Sequence, residues 1–131
     1  MASGRSSEST DSWTYASTTF RYANNNSNNG AYLVRGLNED DVFVHNVCSA
    51  YNTGSAPHAA IGLDSATAAA NLITFNGNGA VAGMACHYRG LPGLGYHSLH
   101  AIERSQSASN STWYGDAGGL VQTGLFVGGM F

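Results

Sequence analysis

Five histidines, eight acids and two cysteines are the residues through which this chain of 131 could do chemistry. The closest histidines, His97 and His100, stand an odd number of positions apart, so on a strand they point to opposite faces and cannot clasp one ion. His87 and His97 could meet across neighbouring strands, but a zinc site demands more ligands than this pair supplies. Core or interface histidines are the default, and a ring of symmetry-related histidines on a three-fold axis is the other arrangement. Glu39-Asp40-Asp41 lacks the spaced oxygen ladder of a calcium loop and reads as a solvated acidic turn. Ser, His and Asp are plentiful, yet there is no G-x-S-x-G elbow to set up a nucleophile. Asp116 with Glu103 could pose as a glycosidase pair, but Asp116 sits in a glycine turn, where an Asx turn explains it. Cys48 and Cys86 have neither zinc-ribbon nor CxxC spacing; buried thiols are expected, with a single disulfide as the alternative. No catalytic residue, metal or cofactor is therefore expected. One binding constellation stands out: Trp113 and Tyr114 beside a polar turn carrying Asp116, the kind of aromatic surface that holds a sugar ring. Core packing is the commoner fate of such aromatics.

The elements that would carry these residues are strands. From Tyr96 to Arg104 the chain alternates, with His97, Leu99, Ala101 and Glu103 on one face. Thr112-Trp113-Tyr114 is a short strand broken by Gly115-Asp116 and Gly118-Gly119. Upstream, Trp13 and Tyr15 take one parity and Phe20 and Tyr22 the other, which predicts a bulge near Ser17-Thr18 that lets all four face one core. The spacing predicts short strands at Ala31–Val34 and around Ala59, Ile61 and Leu63, a central strand over Asp41–Ala50, and a loop over Asp64–Ala70. Asn71–Phe75 runs into Asn76-Gly77-Asn78-Gly79, a hairpin signal that Ala80–Tyr88 should answer as partner strand. Glu103 and Arg104 are expected to pair with neighbours at a subunit boundary. About eight strands and no amphipathic helix make the fold class all-β, a sandwich.

Charged residues are only 10% of the chain, well below the usual quarter, and there is no lysine. A surface so poor in charge suits a protein partly covered by partners. The net charge of −3, with five isolated arginines, offers no basic patch, so nucleic acid is not an expected partner. No segment approaches the ~18 to 20 apolar residues of a membrane span and no secretory leader is visible, so neither a membrane partner nor secretion is expected. Residues 1–12 read as a flexible Ser-rich arm and 13–131 as the folded domain. The apolar end, with Leu125, Phe126, Val127, Met130 and Phe131, should lie in a core or at a subunit interface. We expect it, together with His97, at a contact between copies of the chain.

Four segments carry a family resemblance: Gly95-Tyr96-His97 with Leu99; Ile102-Glu103-Arg104-Ser105; Thr112-Trp113-Tyr114-Gly115-Asp116; and Gln122-Thr123-Gly124-Leu125 to the C-terminus. Over this last third the chain resembles the ends of tailed-bacteriophage head-fibre, tail-fibre and related appendage proteins. The resemblance implies a jelly-roll β-sandwich that assembles as a trimer, similar to tumour-necrosis-factor-like and fibre-knob domains. It also implies a structural role at the virion surface after synthesis in the host cytoplasm, with capsid or other virion proteins as partners and the host surface as a further contact. With no coiled-coil or repetitive shaft, the chain is expected to be a decoration protein or short appendage anchored by its arm. The alternative is a lectin-like receptor-recognition module that grips a host surface glycan through Trp113, Tyr114 and Asp116.

Overall fold

The computed structural model describes residues 2–36, 41–52, 54–70, 74–75, 79–116, 119 and 122–129. Within them lie the strands β1 (Ala2–Ser7), β2 (Ser12–Tyr15), β3 (Arg21–Tyr22), β4 (Gly30–Arg35), β5 (Val42–Tyr51), β6 (Pro57–Leu63), β7 (Thr74–Phe75), β8 (Ala82–Gly90), β9 (Gly95–Ser105), β10 (Ser111–Tyr114) and β11 (Gly124–Gly129). A 3-10 turn, Ala23–Asn25, follows β3. The chain is all-β, with two antiparallel sheets consistent with a β-sandwich.

Each sheet has a long strand as its spine, and in both cases the sequence explains why. Along β5, Val42, Val44, Cys48 and Ala50 alternate with Phe43, His45, Val47 and Ser49, so one parity can be buried while the other faces outward. One edge of β5 pairs with β8, from Val42 opposite Gly90 to Ala50 opposite Ala82. Its other edge is shared end to end by β11 and β10, which are flanked in turn by β1 and β2. In the second sheet β9 is the spine: β6 and then β7 lie to one side, and β4 and β3 lie end to end on the other. Trp13, Val44, Trp113, Leu125 and Val127 from the first sheet meet Leu33, Ile61, Leu99 and Ala101 from the second in one buried cluster.

Several expectations change at this level. Ala80–Tyr88 does not answer Asn71–Phe75 as a hairpin partner: β8 pairs with β5 in the first sheet, whereas β7 pairs with β6 in the second. Residues 71–73 and 76–78 lie outside the described residues. The parity change between Trp13 and Phe20 is a crossover between sheets, not a bulge, since β2 belongs to the first sheet and β3 to the second. The aromatics therefore do not share one core: Phe20 packs with Ala60 and Ile102 in a smaller cluster. Residues 2–7, expected as a flexible arm, form strand β1 against β11, held by backbone pairing that needs no apolar side chains.

The smaller cluster explains why β6 is buried on both faces. Residues 64–70 run over the outside of the second sheet, with Ala69 packed on the Phe20 cluster and the Ala70 N–H donating to the Ile61 carbonyl. This close approach requires Gly62, where a Cβ would stand 2.0 Å from the Ser65 carbonyl oxygen. Gly62→Ala should therefore lower stability by roughly 1–3 kcal/mol through overpacking, read as a reduced midpoint in urea with an unchanged slope. An unchanged midpoint would show that 64–70 does not pack there.

Candidate association surface and the buried carboxylate

The outer face of the first sheet carries an apolar stripe where a sandwich surface is normally polar. Phe43 and Val47 on β5 are each 41% exposed and Phe126 on β11 is 43% exposed, and register sets Phe126 directly beside His45. The strand period dictates this split of the C-terminal segment, which sends Leu125 and Val127 into the chain's own core and turns Phe126 outward. Leu125 and Val127 thus contribute to the sandwich itself, while Met130 and Phe131 lie outside the described residues. Across β5 from Phe126 stands β8, whose outward residues Ala85, His87 and Arg89 oppose Val47, His45 and Phe43. Arg89 is held by Asp41 in an exposed ion pair. Glu39 and Asp40, the other acids of that turn, lie outside the described residues.

His97 sits elsewhere, on β9 of the second sheet, where its Nδ1 lies 2.7 Å from Asp64 Oδ2. The Ser98 N–H donates to the other Asp64 oxygen at 2.7 Å. Burial acts to raise the Asp64 carboxyl, but the Ser98 and His97 hydrogen bonds outweigh it and hold it below the usual range. His87 and His97 therefore belong to different sheets and do not meet. His100 turns to the opposite face of β9 from His97, as expected, against the rings of Tyr22 and Tyr32, and burial lowers its pKa.

Trp113 is only 1% exposed and is a core residue, lining a cavity of about 10 Å³ together with Trp13, Asn46, Cys48, Glu103 and Thr123. That volume matches about one water molecule and no sugar. Tyr114 and Asp116 are half-buried beside it in sequence. A stacked pair of exposed aromatics lies instead on the second sheet. Tyr32 and Tyr96 have ring centres 6.0 Å apart and planes within 14°, and both rings are more than half exposed.

Glu103 is the chemically unusual group. It is 1% exposed and accepts hydrogen bonds from Trp13 Nε1 at 3.0 and 2.8 Å, Arg21 Nε at 3.0 Å and the Asn24 N–H at 3.2 Å. Arg21 also brings its Nη2 to 2.9 Å and stacks over Tyr15. Burial pushes the carboxyl up to about 7 against the pull of all these donors. The expected subunit-boundary pairing of Glu103 and Arg104 is thus replaced by partners within the chain, since Arg104 donates to His58 and lies over Phe20. Glu8 is buried nearby on the same N-terminal run. Burial acts to raise its carboxyl, but donors from Asn29 and Thr10 prevail and hold it below the usual range. Cys48 and Cys86 are both buried thiols, not a disulfide, and burial raises the Cys48 thiol well above its usual pKa.

Among the described residues no three His, Cys, Asp or Glu side chains converge on a point where an ion could sit. No family model, curated protein or solved structure matches the chain. Sequence reasoning missed two features of the site: the role of β5 as carrier of the outward apolar stripe, and the facing of His45 and His87. The alternation of Asp41–Ala50 held the signal for the first. Nothing local held the second.

Proposed function

We propose that the chain is a structural protein of a tailed-phage virion, a homotrimeric jelly-roll knob that decorates the capsid or forms a short head or tail appendage. The order of pairing supports the jelly-roll. If β1 with β2, β3 with β4, and β10 with β11 are each counted as one broken strand, the eight strands pair first with eighth, second with seventh, third with sixth and fourth with fifth. That nesting is a long antiparallel hairpin rolled into two sheets. Self-association rests on the outward stripe of Phe43, Val47 and Phe126, which is the single observation that carries the reading. An apolar stripe on a chain with so little charge is what a subunit interface requires. The virion assignment rests on the resemblance, whose segments fall on β9, β10 and β11. Imaging of assembled particles tests it. Density of this fold on capsid or tail is the expected result, and particles that lack the chain would refute it.

The stacked Tyr32–Tyr96 pair favours a second reading, a lectin-like contact with a host glycan, because such a pair offers an exposed ring face to a sugar. On a glycan array this reading expects binding that falls at least roughly tenfold in Tyr96→Ala and is unaffected at Tyr114, given what one lost aromatic contact of ~1.5 kcal/mol is worth. Absence of binding by the intact protein would remove it.

A further inference from the structure

We propose that His45 and His87 form a two-imidazole chelate for a divalent transition-metal ion on the outer face of the first sheet. The two residues are far apart in sequence but sit directly opposite each other in the β5–β8 ladder. Their ring centres are 5.8 Å apart with planes inclined by 46°. Imidazole nitrogens bind zinc at about 2.0–2.1 Å, which puts each ring centre about 3.2 Å from the ion; two such rings at a tetrahedral angle then stand about 5.2 Å apart. The observed spacing is within about an ångström of that value, a gap that small side-chain rotations can close. Phe43 packs edge-on against His45 at 4.4 Å and restrains one of the two rings.

The chemistry of the pair favours this occupant. Two neighbouring imidazoles repel when both are protonated, and a shared metal ion satisfies a lone pair on each. Arg89, two positions along β8 from His87, has its charge countered by Asp41. Two nitrogen ligands are too few for a structural zinc site, but with water or a group from another copy in the remaining positions they suit a more weakly held copper, nickel or zinc ion and not the oxygen-seeking magnesium or calcium. Both ligands come from one chain, and because His45 stands between Phe43 and Val47 the ion would sit within the proposed association surface.

Calorimetric titration of the tag-free full chain with Cu²⁺, Ni²⁺ and Zn²⁺ tests the proposal. The expected result is saturation near one equivalent per chain, with Cu²⁺ tightest. Affinity should fall at least roughly tenfold in both His45→Ala and His87→Ala and be retained in His97→Ala. Both positions lie on the outer face of the sheet, and unchanged circular dichroism would establish that the variants fold. His45→Gln and His87→Gln provide a conservative second set. In NMR spectra, Zn²⁺ should shift the imidazole signals of His45 and His87 together. Unaltered binding in His87→Ala, or wild-type binding no tighter than in the doubly substituted chain, would overturn the proposal.

Discussion

Replacing Val47 and Phe126 together by aspartate should convert the proposed trimer into folded monomers. Both side chains face outward from the first sheet, so neither change opens a cavity in the core, and the sandwich should keep its circular dichroism and its cooperative unfolding. At an interface each would be buried against another copy, where a large apolar side chain contributes on the order of 1.5–3 kcal/mol. A carboxylate in the same place must also be desolvated. The dissociation constant should therefore rise by at least roughly a hundredfold, the sum of two such losses taken at the low end. Light scattering at micromolar protein measures this as a fall from the trimer mass to that of one chain. Tyr32→Asp, which places a charge on the other sheet, should leave the mass unchanged. A trimer that persists in the doubly substituted chain, or a wild-type protein that is monomeric at all concentrations, would refute the use of this face.

The second large effect comes from Glu103 and depends on pH. Its carboxyl titrates near 7 in the folded protein against an ordinary value of 4.5, chiefly because burial disfavours the charge. Below pH 4.5 both folded and unfolded chains hold the proton. Between 4.5 and about 7 the unfolded chain has lost it while the folded protein still keeps it. The contribution of Glu103 is therefore fully present at the acid end and declines as pH rises through that window, by about 3 kcal/mol in all. His58 and His100, whose pKa values burial lowers, act in the opposite sense, since the folded state resists their protonation as pH falls. The quantity to measure is thus the difference between wild type and Glu103→Gln in denaturant titrations from pH 4.5 to 8. That difference should change with pH and level off above about 7. A difference independent of pH would mean that Glu103 keeps its charge throughout, with Arg21 outweighing desolvation.

How far the chain could be read without its structure differs from element to element. Alternation located β5 and β9 closely, because a buried face imposes a two-residue period on any strand that carries it. The parity of His97, Leu99, Ala101 and Glu103 was legible for the same reason. The Asn-Gly run before Ala80 misled because a turn signal says that the chain reverses, not which strand receives it; β8 follows the turn yet pairs with β5. Trp113 shows the same limit at a single residue. An aromatic beside polar residues reads alike whether it lines a sugar site or closes a core, and only the packing of two sheets decided for the core.

By itself the sequence determined the strand content, the inward and outward parity of the long strands, the lack of surface charge and the apolar C-terminal segment. These follow from residue type and from spacing within one strand. Tertiary structure alone decided that Glu103 receives Trp13 and Arg21 from a distant part of the chain, that Phe126 joins Phe43 and Val47 in one outward stripe, and that His45 faces His87. Each of these depends on which strand lies beside which. That choice is settled by burial of the whole apolar surface at once, a sum over the two sheets that no local stretch contains.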